Sequence, residues 1–183
     1  MIGILHSGLY NFATTQEVRT RLIYPLSLLE VKRHLRIDQD FDDDDDYLES
    51  LIETATVMAE NYIDKPICKT QIDLRVDEFT GDWLRINDGN FLSVINVSTG
   101  TIHQTSKHDD FFQIEFTEYI EVDPLRLSYY AGFLENKTPA IIKQAILVSI
   151  AGLYDSARSD FNWSGLTNSK TSENLLNYYK SYI

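Results

Sequence analysis

From Asp38 to Glu49 the chain reads DQDFDDDDDYLE. Asp38, Asp40, Asp42, Asp44, Asp46 and Glu49 fall at positions 1, 3, 5, 7, 9 and 12 of a twelve-residue loop, the places where a helix–loop–helix calcium site puts its oxygen ligands. Carboxylates are the right chemistry for a hard cation. The match is partial, however. Position 6 of such a loop is glycine, because the chain turns sharply there, and here it is Asp43. The eighth place, ordinarily apolar, is Asp45. A run of five aspartates also supplies a carboxylate at every second residue automatically. The residue pattern therefore assigns no metal ligand. It reads as a solvated acidic loop whose last member caps a helix, where the helix dipole stabilises negative charge. A Ca²⁺-binding module using Asp38–Glu49 stands as the alternative.

Other chemistry is sparse. His6, His34, His103 and His108 have no metal-ligand spacing and read as surface or hydrogen-bonded core residues. Cys68 is the sole cysteine, so the chain has no internal disulfide and no zinc cluster, which fits a reducing compartment such as cytoplasm. There is no GxSxG elbow, no GxGxxG turn and no P-loop. Tyr129, Tyr130 and Phe133 have only Arg126 near them, so they read as packing residues rather than a base-stacking platform. No catalytic residue and no cofactor is assigned. A small carbohydrate- or nucleotide-acting enzyme would need a deep pocket holding carboxylates of perturbed pKa.

Charge narrows the partners. The 183 residues carry 28 acidic and 16 basic side chains, a net charge of −12. Free-standing nucleic-acid binding needs a basic footprint, which this balance opposes. Hydrophobic residues make up 43% of the chain, enough for a globular core, and no stretch is long and apolar enough to predict a membrane span. The first residues lack the pattern of a secretory signal.

The elements that would position these residues follow from periodicity. Ser27-Leu-Leu-Glu30 is a capping box, and it opens a helix over 27–36 with Leu28, Val31 and Leu35 on one face and Lys32, Arg33 and Arg36 elsewhere. Asp46-Tyr-Leu-Glu49 looks like a second capping box. It opens a helix over 47–63, in which Leu48, Leu51, Ile52, Ala55, Ala59 and Ile63 recur at helical spacing until Pro66 forces an end. The period then falls to two. In TQIDLRV, Ile72, Leu74 and Val76 alternate with polar residues, and short strands follow at intervals across a β region at 69–132. Thr138-Pro139 starts a third helix over 139–157, apolar on more than one side. Residues 156–172 read as a polar loop, and ENLLNYYKSYI as a short last helix. The expected fold class is α+β, mainly α: an N-terminal helix pair and C-terminal helices packed with a small antiparallel β insertion. Residues 1–24 read as an N-terminal arm or an early strand, 25–160 as the main domain and 161–183 as a C-terminal loop and short helix.

Two stretches carry a resemblance. LSLLEVKRHLRID…DDDYLESLIETATVMAENYI resembles the opening helix pair of the tailed-phage head–tail connector proteins, also called adaptor, head-completion or DNA-packaging proteins. RLSYYAGF…TPAIIKQAILVSIAGLYDSAR is similar to the same family's last strand, glycine turn and closing helix. The likeness covers roughly residues 25–160. It implies a non-enzymatic structural protein of the virion neck, assembled in the host cytoplasm, in a ring of about twelve copies. The implied partners are further copies of the chain, the portal, the next neck or tail protein, and genomic DNA passing through without sequence-specific binding. It also implies that Leu28, Val31, Leu35, Leu48, Leu51, Ile52, Ala55, Ile141, Ile142, Ala145 and Ile146 build the helical core, and it gives Lys143, Gln144 and Arg158 no chemistry. An acidic lumen would repel DNA from the wall, a role open to Asp42–Asp46.

Overall fold

A computed structural model describes residues 4–6, 15–86, 90–108, 111–134, 137–158 and 167–180. The chain divides into two compact units. One is made of residues Met1–Ile23 and Cys68–Phe133, the other of Tyr24–Ile67 and Leu134–Ile183.

Among the described residues, the regular elements of the first unit are all strands. Its strands are β1 (Ile4–His6), β2 (Thr15–Arg21), β3 (Thr70–Val76), β4 (Phe79–Ile86), β5 (Phe91–Val97), β6 (Ile102–Lys107), β7 (Phe112–Val122) and β8 (Leu125–Ala131). They form two four-stranded antiparallel sheets, in the orders β1-β4-β7-β6 and β2-β3-β8-β5. Strict alternation explains the core: β3 buries Ile72, Leu74 and Val76, and β8 buries Leu125, Leu127, Tyr129 and Ala131. β4 buries Phe79 but then Leu84 and Ile86, a change of parity. The pairing register with β7 shifts between Gly81 and Trp83, and such a bulge returns the strand to the core face. Both sheets contribute to one buried cluster, in which Phe91 stacks on Phe112 at 4.0 Å and Phe112 meets Tyr129 edge-on at 4.9 Å. Gly132, at φ +103°, passes so close to Cys68 that a Cβ there would lie 2.0 Å from its carbonyl oxygen.

The second unit is helical, with α1 (Leu28–Leu35), α2 (Asp45–Ile63), α3 (Ala140–Arg158), α4 (Thr167–Leu176) and a 3₁₀ turn over Asn177–Tyr179. Ser27 caps α1: its hydroxyl accepts the Glu30 N–H at 3.3 Å, and the Glu30 carboxylate accepts the Ser27 N–H at 2.8 Å. α2 buries Leu48, Leu51, Ile52, Ala55, Ala59 and Ile63, and α3 buries Ile142, Ala145, Ile146, Ile150 and Tyr154. α2 ends at Asp64 in the left-handed conformation, two residues before Pro66. Buried Glu60 accepts the Ile67 N–H at 2.9 Å and so fixes the exit from the helix. The Ser172 hydroxyl ties α4 to α3 by donating to the Ala145 carbonyl at 3.0 Å.

The structure corrects the expected fold class. The chain is not mainly α: helix and strand contents are about equal, and the strands form two full sheets rather than a small insertion. The physical reason lies in the edge strands. β2 (TQEVRTR) and β6 (IHQTSK) line sheet edges and bury no described residue, so they lack the alternation that marks a half-buried strand. β2 lies in the stretch read as an arm or an early strand. Residues 167–172, read as loop, are helical, while 159–166 lie outside the described residues. Of the helical core residues, Leu28 and Leu35 are only half-buried and Ile141 is 46% exposed.

Candidate functional site

The acidic loop is organised around an ammonium group. Lys32 lies on α1 and is only 4% exposed. Its Nζ is 2.6 Å from Asp45 Oδ1 and donates to the carbonyl oxygens of Phe41 at 2.8 Å and Gln39 at 3.3 Å. The ammonium thus donates hydrogen bonds to two loop carbonyls and forms a close ion pair with the first residue of α2, although Asp45 Oδ1 itself lies off the line of a hydrogen bond. Lys32 therefore supplies the positive charge around which the chain between α1 and α2 folds.

The six candidate ligands do not converge. Asp38 Oδ1 accepts the Asp40 N–H at 3.1 Å, a local turn. Asp44 Oδ2 accepts from the Tyr154 hydroxyl at 2.8 Å, which ties the loop to α3. Asp40, Asp42, Asp46 and Glu49 are exposed. Among the described residues no three His, Cys, Asp or Glu side chains are grouped to hold a metal ion. The start of α2 also differs from the capping box read at Asp46–Glu49. The N-cap is Asp44, which makes no side-chain cap, and Asp45 and Asp46 lie in the first turn.

Sequence reasoning missed Lys32 and Asp45. Its charge assigns Lys32 to the polar side of α1, yet it follows buried Val31 and sits four residues after Leu28 and three before Leu35, both half-buried, so it shares their inward stripe. A lysine within an apolar stripe, next to an acidic loop, was the signal available.

The remaining candidates are dispersed. Glu30, in the capping box, also meets Lys143 Nζ at 3.2 Å, which joins the start of α1 to α3. The Ser27 backbone N–H, with help from the Ser27 hydroxyl and Lys143 and against partial burial, holds the Glu30 carboxyl below its ordinary range. His34 and His103 are exposed, and His108 stacks on Phe111 at 4.1 Å. Gln144 is exposed, and the side chains of His6 and Arg158 lie outside the described residues. Cys68 is buried and free. Tyr129 belongs to the β core, and Lys69 lies 4.5 Å from the centre of the Tyr130 ring. Among the described residues no helix is long and apolar enough to cross a membrane.

Known proteins resemble the chain at two levels. Residues 25–89 match the family model described as phage gp6-like head-tail connector protein. No curated protein sequence matches the chain. Among solved structures, a chain in the neck of an empty gene-transfer-agent particle, computed with C6 symmetry, has a TM-score of 0.67 at 15% identity, covering 91% of this chain and 96% of that one. A chain in the neck of the native particle, computed with C12 symmetry, has a TM-score of 0.66 at 14% identity, with coverages of 91% and 96%. A chain of the native virion has a TM-score of 0.60 at 15% identity, with coverages of 90% and 96%. Residues 25–89 thus carry the sequence pattern of the head-tail connector family, and the chain carries the fold of these neck proteins. The resemblance read on the first helix pair is the one the family model makes.

Proposed function

We propose that this chain is a structural ring component of a virion neck, joining head to tail and extending the channel through which the genome passes. One observation carries the reading: the head-tail connector match begins at residue 25, at the start of the helical unit, and the fold around it is that of neck proteins over nine tenths of the chain. The related necks were computed with sixfold and twelvefold symmetry, and about twelve copies satisfies both. A net charge of −12 per copy suits a channel that DNA must traverse without sticking. The portal on one side and the next neck or tail protein on the other are the neighbours this position implies. No catalytic step is assigned.

The test is electron microscopy of the full chain mixed with rings of its cognate portal. The expected result is an annular density stacked on one portal face and coaxial with its channel. Unchanged portal rings, or density scattered around their rim, would overturn the reading.

A further inference from the structure

Some charged side chains of the helical unit are paired within it and others are not. Glu30, Lys32, Asp45 and Lys143 are paired within the unit. Arg33 and Arg36 at the end of α1, and Asp46, Glu49 and Glu53 on α2, are exposed and have no ion-pair partner among the described residues. These five are sorted by helix, the arginines on α1 and the carboxylates on α2, with the exposed Asp38, Asp40, Asp42 and Asp43 of the loop following Arg36. On α2 the three carboxylates recur at i, i+3 and i+7, so they form one stripe along the helix, on the side away from Leu48, Leu51 and Ala55. On α1, Leu29 and Arg33 are one turn apart, Arg36 follows at the C-cap, and Leu29 is 40% exposed.

Resting on the ring reading above, we infer that the Leu29–Arg33–Arg36 edge of α1 in one copy docks against the Asp46–Glu49–Glu53 stripe of α2 in the next. A contact between two different patches is the kind a ring needs, because each copy then offers one patch to each neighbour; the same two patches meeting reciprocally would close a dimer instead. The overall charge strengthens the argument. Copies bearing −12 each repel one another, and a contact that brings basic residues against acidic ones offsets that repulsion locally. Opposed charges also fix the register and suppress the reversed orientation, in which arginine would meet arginine.

The test is sedimentation of the full chain at high concentration, in low and high salt, for the parent chain, R33E/R36E, E49K/E53K and an equimolar mixture of the two variants. Association of the parent chain that falls with salt is the expected starting point. Each double variant alone is expected to associate about tenfold or more weakly. The mixture restores association, because every junction of an alternating ring again pairs opposite signs. Circular dichroism checks folding. Should R33E/R36E not fold, E49K/E53K decides alone, since its substitutions lie on an exposed face. Association that neither charge reversal changes overturns the assigned contact and leaves the ring standing. A parent chain that associates neither with itself nor on portal rings overturns the ring reading as well.

Discussion

The β unit and the helical unit hold their shapes by different means. The core of the β unit is an apolar cluster contributed by both sheets, with Phe91, Phe112 and Tyr129 in mutual contact. The helical unit buries apolar faces too, but it also buries Lys32 and Glu60, each committed to particular backbone groups. Apolar burial is non-directional and tolerates local adjustment. A buried ammonium that must find three oxygens dictates where a loop runs. The segment between α1 and α2, rich in mutually repelling aspartates, is held by one internal cation together with the Tyr154–Asp44 hydrogen bond and local turns.

The largest effect that tests this contrast is in the β core. Phe112→Ala is expected to destabilise the β unit by about 3–5 kcal/mol, the usual cost of truncating a buried phenylalanine. Hydrogen exchange should show the loss across the amides of β4, β7 and β8. Protection confined to its parent level in those strands would mean that the two sheets do not share the core described.

Next comes the pin. Lys32→Ala should cost about 2–3 kcal/mol, because it leaves Asp45 without its counter-charge and strips two carbonyls of their donor. Exchange should rise over 38–44 before it rises in α2. Lys32→Met keeps most of the buried stem and loses only the ammonium, so it separates packing from charge. It should be less destabilised than the alanine variant while the loop is equally released. A loop that stays protected in Lys32→Met would deny the ammonium its organising role.

Smaller still is the cap. Ser27→Ala should cost about 1 kcal/mol, read from thermal or denaturant unfolding. Its partner Glu30 adds a pH dependence. The folded-state carboxyl titrates below its ordinary value, so its contribution is fully present above roughly pH 4.3 and is lost as pH falls through the lowered value. Glu30→Gln should flatten that part of the stability–pH curve. An unchanged curve would mean that the cap does not depend on the charge.

The helical unit was the more legible of the two, for reasons tied to particular residues. The Ser27–Glu30 box and the apolar repeat from Leu48 to Ile63 are strong local signals, and both appear in the structure. β3 and β8 alternate cleanly because one face of each is wholly in the core. β6 left no signal, and residues 1–24 only an ambiguous one at β2, because an edge strand is stabilised by backbone pairing with its neighbour, which leaves no trace in side-chain hydrophobicity. The aspartate spacing suggested a metal loop because one dimension shows only intervals. Folding points Asp44 at Tyr154 and Asp45 at Lys32 and sends Asp42 and Asp46 outward. The role of Lys32 is a three-dimensional property, hinted at only by its place in the apolar stripe of α1.

The central claim is that identical copies of this chain close into a neck ring, and the most direct measurement is the mass of the complex formed on a cognate portal. Native mass spectrometry should give the portal plus about twelve chains, with no stable smaller sets once the chain is in excess. One or two chains bound per portal, or an open-ended series of masses, would contradict a closed ring.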